Sequence, residues 1–178
     1  MGYHAPARGS PLAFIMYGRL VEGALLLKDK VKDPTFDWDT RTVADGRYQV
    51  KVVASDELSN PPGQGKTATR ISDFYVVDNT PPVIGDLSQT VTDSDVKIDL
   101  RAVDQTSAIE SVEYTVDSST DWQTVLPVDN IFDDKSEHVV FTVKSLSGGD
   151  HQVTVRATDS RGNQALQTVL VKIDNGRK

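Results

Sequence analysis

The segment Asp45 to Asn60 constrains the fold more than any other, because it occurs twice. At an offset of 103 positions, Gly46, Gln49, Val50, Val52, Ala54, Asp56 and Asn60 fall on Gly149, Gln152, Val153, Val155, Ala157, Asp159 and Asn163 without a gap. A repeat of about 100 residues is too long for a solenoid unit and fits a whole small domain. Within the first copy Tyr48, Val50, Val52 and Ala54 alternate with Gln49, Lys51, Val53 and Ser55, the period of a strand with one buried face. Each copy opens on a glycine, at Asp45-Gly46 and Gly148-Gly149, and closes on a polar Asp-x-x-x-Asn loop. The unit is turn, strand, polar loop, and the chain is predicted to be all-β, with two related modules in tandem at 1–79 and 80–178.

This pattern resembles the penultimate strand region of immunoglobulin-like and fibronectin type III-like β-sandwiches, particularly those repeated in large bacterial exported proteins. The resemblance implies two tandem antiparallel β-sandwiches. It also implies that Tyr48 is a corner residue whose hydroxyl caps a turn upstream, and that Val50 stands where an antibody domain has cysteine. His151 occupies the tyrosine position of the second copy, so that corner is expected to be altered or lost. Extracellular, cell-surface or periplasmic placement follows from the resemblance, although the chain shows no signal peptide: Leu12 to Met16 is too short an apolar run.

The first module has room for roughly five strands before Asp78, fewer than a complete sandwich. It is therefore expected to be truncated at its front, with residues 1–27 poorly specified and the chain the C-terminal part of a longer protein. Phe36, Trp38 and Thr40 share one face of an expected strand, offset by 103 from Val139, Phe141 and Val143, with Trp38 as a core anchor. Gly65-Lys66-Thr67 is no phosphate loop. The glycine required five positions earlier is Asn60, and Pro61 and Pro62 lack N–H groups. The stretch reads as a hairpin loop. Asp78-Asn79-Thr80-Pro81-Pro82 reads as a short, stiff linker.

The second module reads as a complete seven-stranded sandwich. Strands are predicted near Val83–Val91, Val96–Ala102, Val112–Val116, Trp122–Leu126, His138–Val143, Gln152–Thr158 and Thr168–Asp174, with Val169, Val171 and Ile173 inward. It also carries the net charge of −7. Ten acidic and ten basic residues precede Thr80, while sixteen acidic and nine basic follow. Such a balance argues against nucleic acid as a partner, and Arg19 and Glu22 interrupt any apolar run that could insert in a membrane. The absence of cysteine excludes disulfides, thiol catalysis and cysteine-held metals.

Catalysis finds little support. His4, His138 and His151 are far apart in sequence, and no nucleophile elbow, zinc-binding helix or dinucleotide turn is present. The sharper candidate is calcium. In a sandwich of this type the end of the second strand and the last hairpin loop lie at the same pole as the linker, bringing Asp104, Asp159 and Asn163 toward Asp78 and Asn79. Oxygen donors of this kind suit a hard cation, and Asp78-Asn79-Thr80-Pro81 resembles the acidic linkers of cadherin-like repeats. The alternative, and the preferred reading, is that these Asp and Asn side chains end strands by bonding nearby backbone N–H groups. No cofactor beyond calcium is in view. The chain is read as a non-catalytic spacer or interaction module whose partners are other domains of a larger parent. A calcium-rigidified adhesion repeat, or a carbohydrate- or protein-binding module with Trp122 and Tyr114 as the first suspects, are the alternatives.

Overall fold

The computed structural model describes residues 12–18, 24–31 and 35–174. The chain divides into two compact units, Met1–Asp78 and Asn79–Lys178. The first contains β1 (Leu12–Gly18), β2 (Ala24–Val31), β3 (Gly46–Ser55), β4 (Thr67–Ile71) and β5 (Tyr75–Val77). The second contains β6 (Val83–Thr92), β7 (Asp95–Val103), β8 (Ile109–Val116), β9 (Gln123–Val125), β10 (Ser136–Val143), β11 (Gly149–Asp159) and β12 (Gln164–Ile173). All the strand pairings are antiparallel.

In the second unit two sheets, ordered β10-β7-β6 and β12-β11-β8-β9, enclose one apolar core. Strict alternation puts Val96, Ile98, Leu100 and Ala102 of β7 inward, each at 0% exposure, while Lys97 and Arg101 face water. The register sets Leu100 beside Val139 and Ile98 beside Phe141. From the other sheet Val112, Val153, Val155 and Ala157 meet them, with Val171 and Ile173 closing the layer. Asp93 takes φ 54 in the tight turn between β6 and β7, a conformation that a short polar side chain tolerates. Asp86, at φ 53, marks the bulge that interrupts the register of β6 between Gly85 and Ser88. Buried Glu137 fixes the preceding loop, its Oε1 accepting the Asp133 and Asp134 N–H groups at 3.1 and 2.9 Å.

The first unit repeats one of these sheets. Its order β2-β1-β3-β4 matches β9-β8-β11-β12 position for position, with β3 in the place of β11. Beyond β4, β5 takes over as the neighbour of β3. Ser72 spans the break: its N–H donates to the Val50 carbonyl, and its Oγ accepts the Val50 N–H at 2.9 Å.

Among the described residues no second sheet covers this one. The repeat makes the effect legible: Val153, Val155 and Ala157 are fully buried, whereas their counterparts Val50, Val52 and Ala54 stay half-exposed. A recess of about 370 Å³ remains over this face, lined by Phe36, Trp38, Val50, Val52 and Tyr75 among others.

The expected strand at Phe36 to Thr40 does not form. Residues 35–39 lack regular structure and Thr40–Thr42 make a single 3₁₀ turn, capped by Asp39. In the second unit the corresponding strand, β10, is held by hydrogen bonds to β7. No strand takes the role of β7 among the described residues of the first unit, so the backbone of this segment has no ladder to join. Trp38 nevertheless anchors the local core as expected. Its ring meets Tyr48 edge to face at 5.7 Å, and with Val43 it packs on buried Tyr48 and Val77.

Candidate functional site

The predicted acidic residues fall at strand ends. Asp104 directly follows β7, and its Oδ1 accepts the Thr106 and Ser107 N–H groups at 2.7 and 2.8 Å. Asp159 ends β11. Its Oδ1 accepts the N–H groups of Arg161 and Asn163 at 2.8 and 3.0 Å, and its Oδ2 accepts Asn163 Nδ2–H at 2.8 Å. These are the strand-ending Asx turns that the residue types favour.

Two carboxylates also converge. Oxygens of Asp104 and Asp159 lie within 4.8 Å of one another, on residues exposed by only 4 and 0%, while Asp78, 8% exposed, ends the first unit. Asn163 is tied to this group through Asp159, and Asn79 follows Asp78 in the chain as a half-buried residue. The repeat does not reproduce the arrangement. In the first copy Asn60 Nδ2–H donates instead to the backbone carbonyl of Asp56, and the Asp56 carboxylate accepts the Lys66 N–H. The donors to Asp104 and Asp159 named above are all amides, so none of them brings a positive charge. Two carboxylates this close and this buried repel one another, and a cation between them would relieve that repulsion.

Two tyrosine-corner positions can be compared directly. Tyr48 Oη–H donates to the Ala44 carbonyl at 2.6 Å, as the resemblance implies. His151 Nε2 lies 2.8 Å from the Ser147 carbonyl, four residues upstream as in the first copy. The corner is therefore altered but not lost, contrary to one of the two expected outcomes. An imidazole N–H reaches the acceptor that a phenol reaches in the first unit. Tyr48→Phe is expected to cost the first unit about 0.5–1.5 kcal/mol, the usual net worth of one such bond, read as a lower urea midpoint at unchanged slope.

Sequence distance concealed a second partner. Asp117 follows β8 with φ 50, and its Oδ2 lies 2.6 Å from His151 Nδ1 while its Oδ1 accepts the Gln152 N–H at 2.7 Å. The Asp117 hydrogen bond, followed by the Ser147 carbonyl and the charges of Asp117 and Asp150, holds the His151 pKa above its ordinary 6.5. Asp117 in turn lies below its ordinary 3.8, first through the Gln152 N–H and then through His151.

Ser147 Oγ is 3.4 Å from His151 Nε2, so Ser147, His151 and Asp117 superficially form a nucleophile–base–acid line. The chemistry differs. Nε2 faces a carbonyl at 2.8 Å and must donate to it, which leaves no lone pair to take a proton from the serine. The offset itself carried the signal, since Ser147 falls on Ala44, but nothing in the sequence pointed to Asp117.

His138 Nε2 pairs with Asp99 Oδ1 at 2.8 Å across β10 and β7, both side chains about two-fifths exposed. His4 lies outside the described residues. The aromatic suspects for carbohydrate are occupied on one face each. The Arg156 guanidinium sits 4.1 Å over the Trp122 ring and is bound through Nη2 to Glu113 at 2.7 Å, and Tyr114 stacks on Phe141 at 4.5 Å. Among the described residues no helix is long and apolar enough to cross a membrane.

The fibronectin(III)-like modules of CbhA from Clostridium thermocellum are similar to this chain. They share 17% identity over 97% of this chain and 82% of that chain, with a TM-score of 0.43. No curated protein sequence matches. The sequence profile of the bacterial Ig-like domain (group 3) matches residues 32–121, just over half of the 178 residues, a span that runs from the first unit into the second.

Proposed function

Because the chain belongs to the bacterial Ig-like domain (group 3) family, we propose that it is a non-catalytic structural module, a spacer or interaction segment within a larger exported bacterial protein. The observation that carries this reading is the repeated sheet order, β2-β1-β3-β4 and β9-β8-β11-β12, which is the hallmark of a module used in series. Supporting it, the one place among the described residues where Ser, His and Asp meet spends its histidine on a turn. The task of such modules is geometric: small sandwiches joined by a proline-stiffened linker separate neighbouring domains.

On the same reading the first unit is a sandwich missing its front strands, and upstream polypeptide of the parent covers Val50, Val52 and Ala54 as β7 and β10 cover Val153, Val155 and Ala157. Thermal unfolding of residues 80–178 and of the whole chain tests both parts. The second unit alone should melt cooperatively, and the first should contribute a weak, broad transition that sharpens when upstream parent sequence is restored. A sharp, independent first transition in the present chain would contradict the truncation, and a measurable turnover that dies with His151→Gln would contradict the structural role.

A second reading is favoured by the convergence of Asp104 and Asp159 within the second unit. A calcium ion held by these two carboxylates, with Asp78, Asn79 and Asn163 as further oxygen donors, would neutralise their mutual repulsion and stiffen the approach to β6. Calcium should then raise the melting temperature of the whole chain over that in chelator, and Asp104→Asn should abolish the rise while keeping the Asx-turn acceptor. No difference between calcium and chelator leaves the carboxylates to their turn role and ends this reading.

A further inference from the structure

We propose that His151 is a proton-operated clasp, which ties the turn before β11 to the end of β8 while the ring is charged and releases one of the two when it is neutral. The geometry demands the charge. Nδ1 faces Asp117 Oδ2 at 2.6 Å and Nε2 faces the Ser147 carbonyl at 2.8 Å, two acceptors that both need an N–H. Neutral imidazole has a single N–H, so only the imidazolium satisfies both at once.

The repeat sharpens the point. In the first unit the corner bond is made by Tyr48, through its phenol O–H alone. The substitution of histidine adds a second tether, to Asp117, and makes holding both at once conditional on one proton.

The surroundings act in the same sense. The acidic groups that face the ring are Asp117, at the end of β8, and Asp150, beside it in β11. On the neighbouring strand β12, Val171 stands opposite His151, and Lys172 is in register with Asp150. The adjoining surface adds Ser118, Ser119, Gln152 and Leu170, none charged. The imidazole is 11% exposed, so water competes weakly for its N–H groups.

The sign follows from the two shifts. A histidine raised above 6.5 contributes stability that is complete below 6.5 and is lost as pH rises through its folded value. An aspartate lowered below 3.8 contributes stability that is present above 3.8 and is lost as pH falls through its folded value. The clasp is thus fully closed from 3.8 to 6.5 and opens on the alkaline side.

The test uses the full chain. An NMR titration of the His151 ring should give a midpoint above 6.5, and urea unfolding should show the second unit losing stability as pH rises above 6.5. His151→Tyr restores the first unit's corner chemistry and should fold with that pH step removed. Asp117→Asn should lower the ring's midpoint toward the ordinary value, while His138→Gln should leave the step intact. A His151 midpoint at or below 6.5 in the native chain, or a pH step that survives His151→Tyr, overturns the proposal. Should His151→Tyr fail to fold, the midpoint shift in Asp117→Asn decides, and no shift overturns it.

Discussion

Leu100→Ala is expected to remove about 2–5 kcal/mol from the second unit, enough to leave a domain of about 100 residues unfolded or barely folded at 37 °C. Leu100 is fully buried at the middle of β7, beside Val139 in register, and belongs to the cluster in which both sheets meet. Deleting its three outer carbons forfeits their transfer free energy and opens a cavity between two hydrogen-bonded sheets whose ladders resist collapse. At roughly 4–8 °C per kcal/mol for a unit of this size, the melting temperature falls by about 8 °C or more. A loss below about 1 kcal/mol would mean that the two sheets are not packed as described. The repeat supplies an internal contrast. Val153→Ala should cost clearly more than Val50→Ala, although both are the same substitution at the same strand position, because only Val153 is covered by a second sheet.

Asp159→Ala is the second large effect. The side chain is fully buried and accepts three hydrogen bonds, from the N–H groups of Arg161 and Asn163 and from Asn163 Nδ2–H. Alanine leaves these donors without their acceptor. At about 1–3 kcal/mol for each that cannot reach water, a loss on the order of 3 kcal/mol follows, together with fraying of the β11–β12 loop. Asp159→Asn separates the turn from the charge. It keeps an acceptor oxygen for the backbone N–H groups while removing one of the two converging carboxylates of the second unit. If the turn dominates, asparagine recovers most of the loss. If repulsion within the cluster dominates in the absence of a cation, asparagine is more stable than the native residue in chelator. Equal and full loss in both variants would contradict the turn account. Chemical denaturation in chelator at neutral pH distinguishes these outcomes, and hydrogen exchange at Arg161 and Asn163 reports the turn itself.

What was readable in the sequence is local and periodic. The alternation at Val96, Ile98, Leu100 and Ala102 marks β7 and its buried face, and the copy at Gln152 to Thr158 marks β11, because the pleat turns a period of two directly into inside and outside. Asp104 and Asp159 were legible as strand-end residues for the same reason: an Asx turn is made with backbone two to four positions away. Phe36 to Thr40 shows the limit. Its alternation is as good as that of β10, yet it forms no strand, because a ladder needs a partner and periodicity cannot supply one.

The clasp lies beyond that limit too. Tyr48 and His151 share a sequence position, and the upstream carbonyl each one reaches is fixed by four residues of chain. Asp117 is 34 residues from His151 and reaches it only because β8 and β11 pair with Val116 opposite Val153. By itself the sequence determined the strands of the second unit, their buried faces, the repeat and the local caps, all of them consequences of backbone geometry over a few residues. Only the tertiary structure decided which side chains meet across strands, how fully a repeated valine is covered, and on which residue a proton is held, because burial and electrostatics depend on neighbours that the chain brings together from a distance.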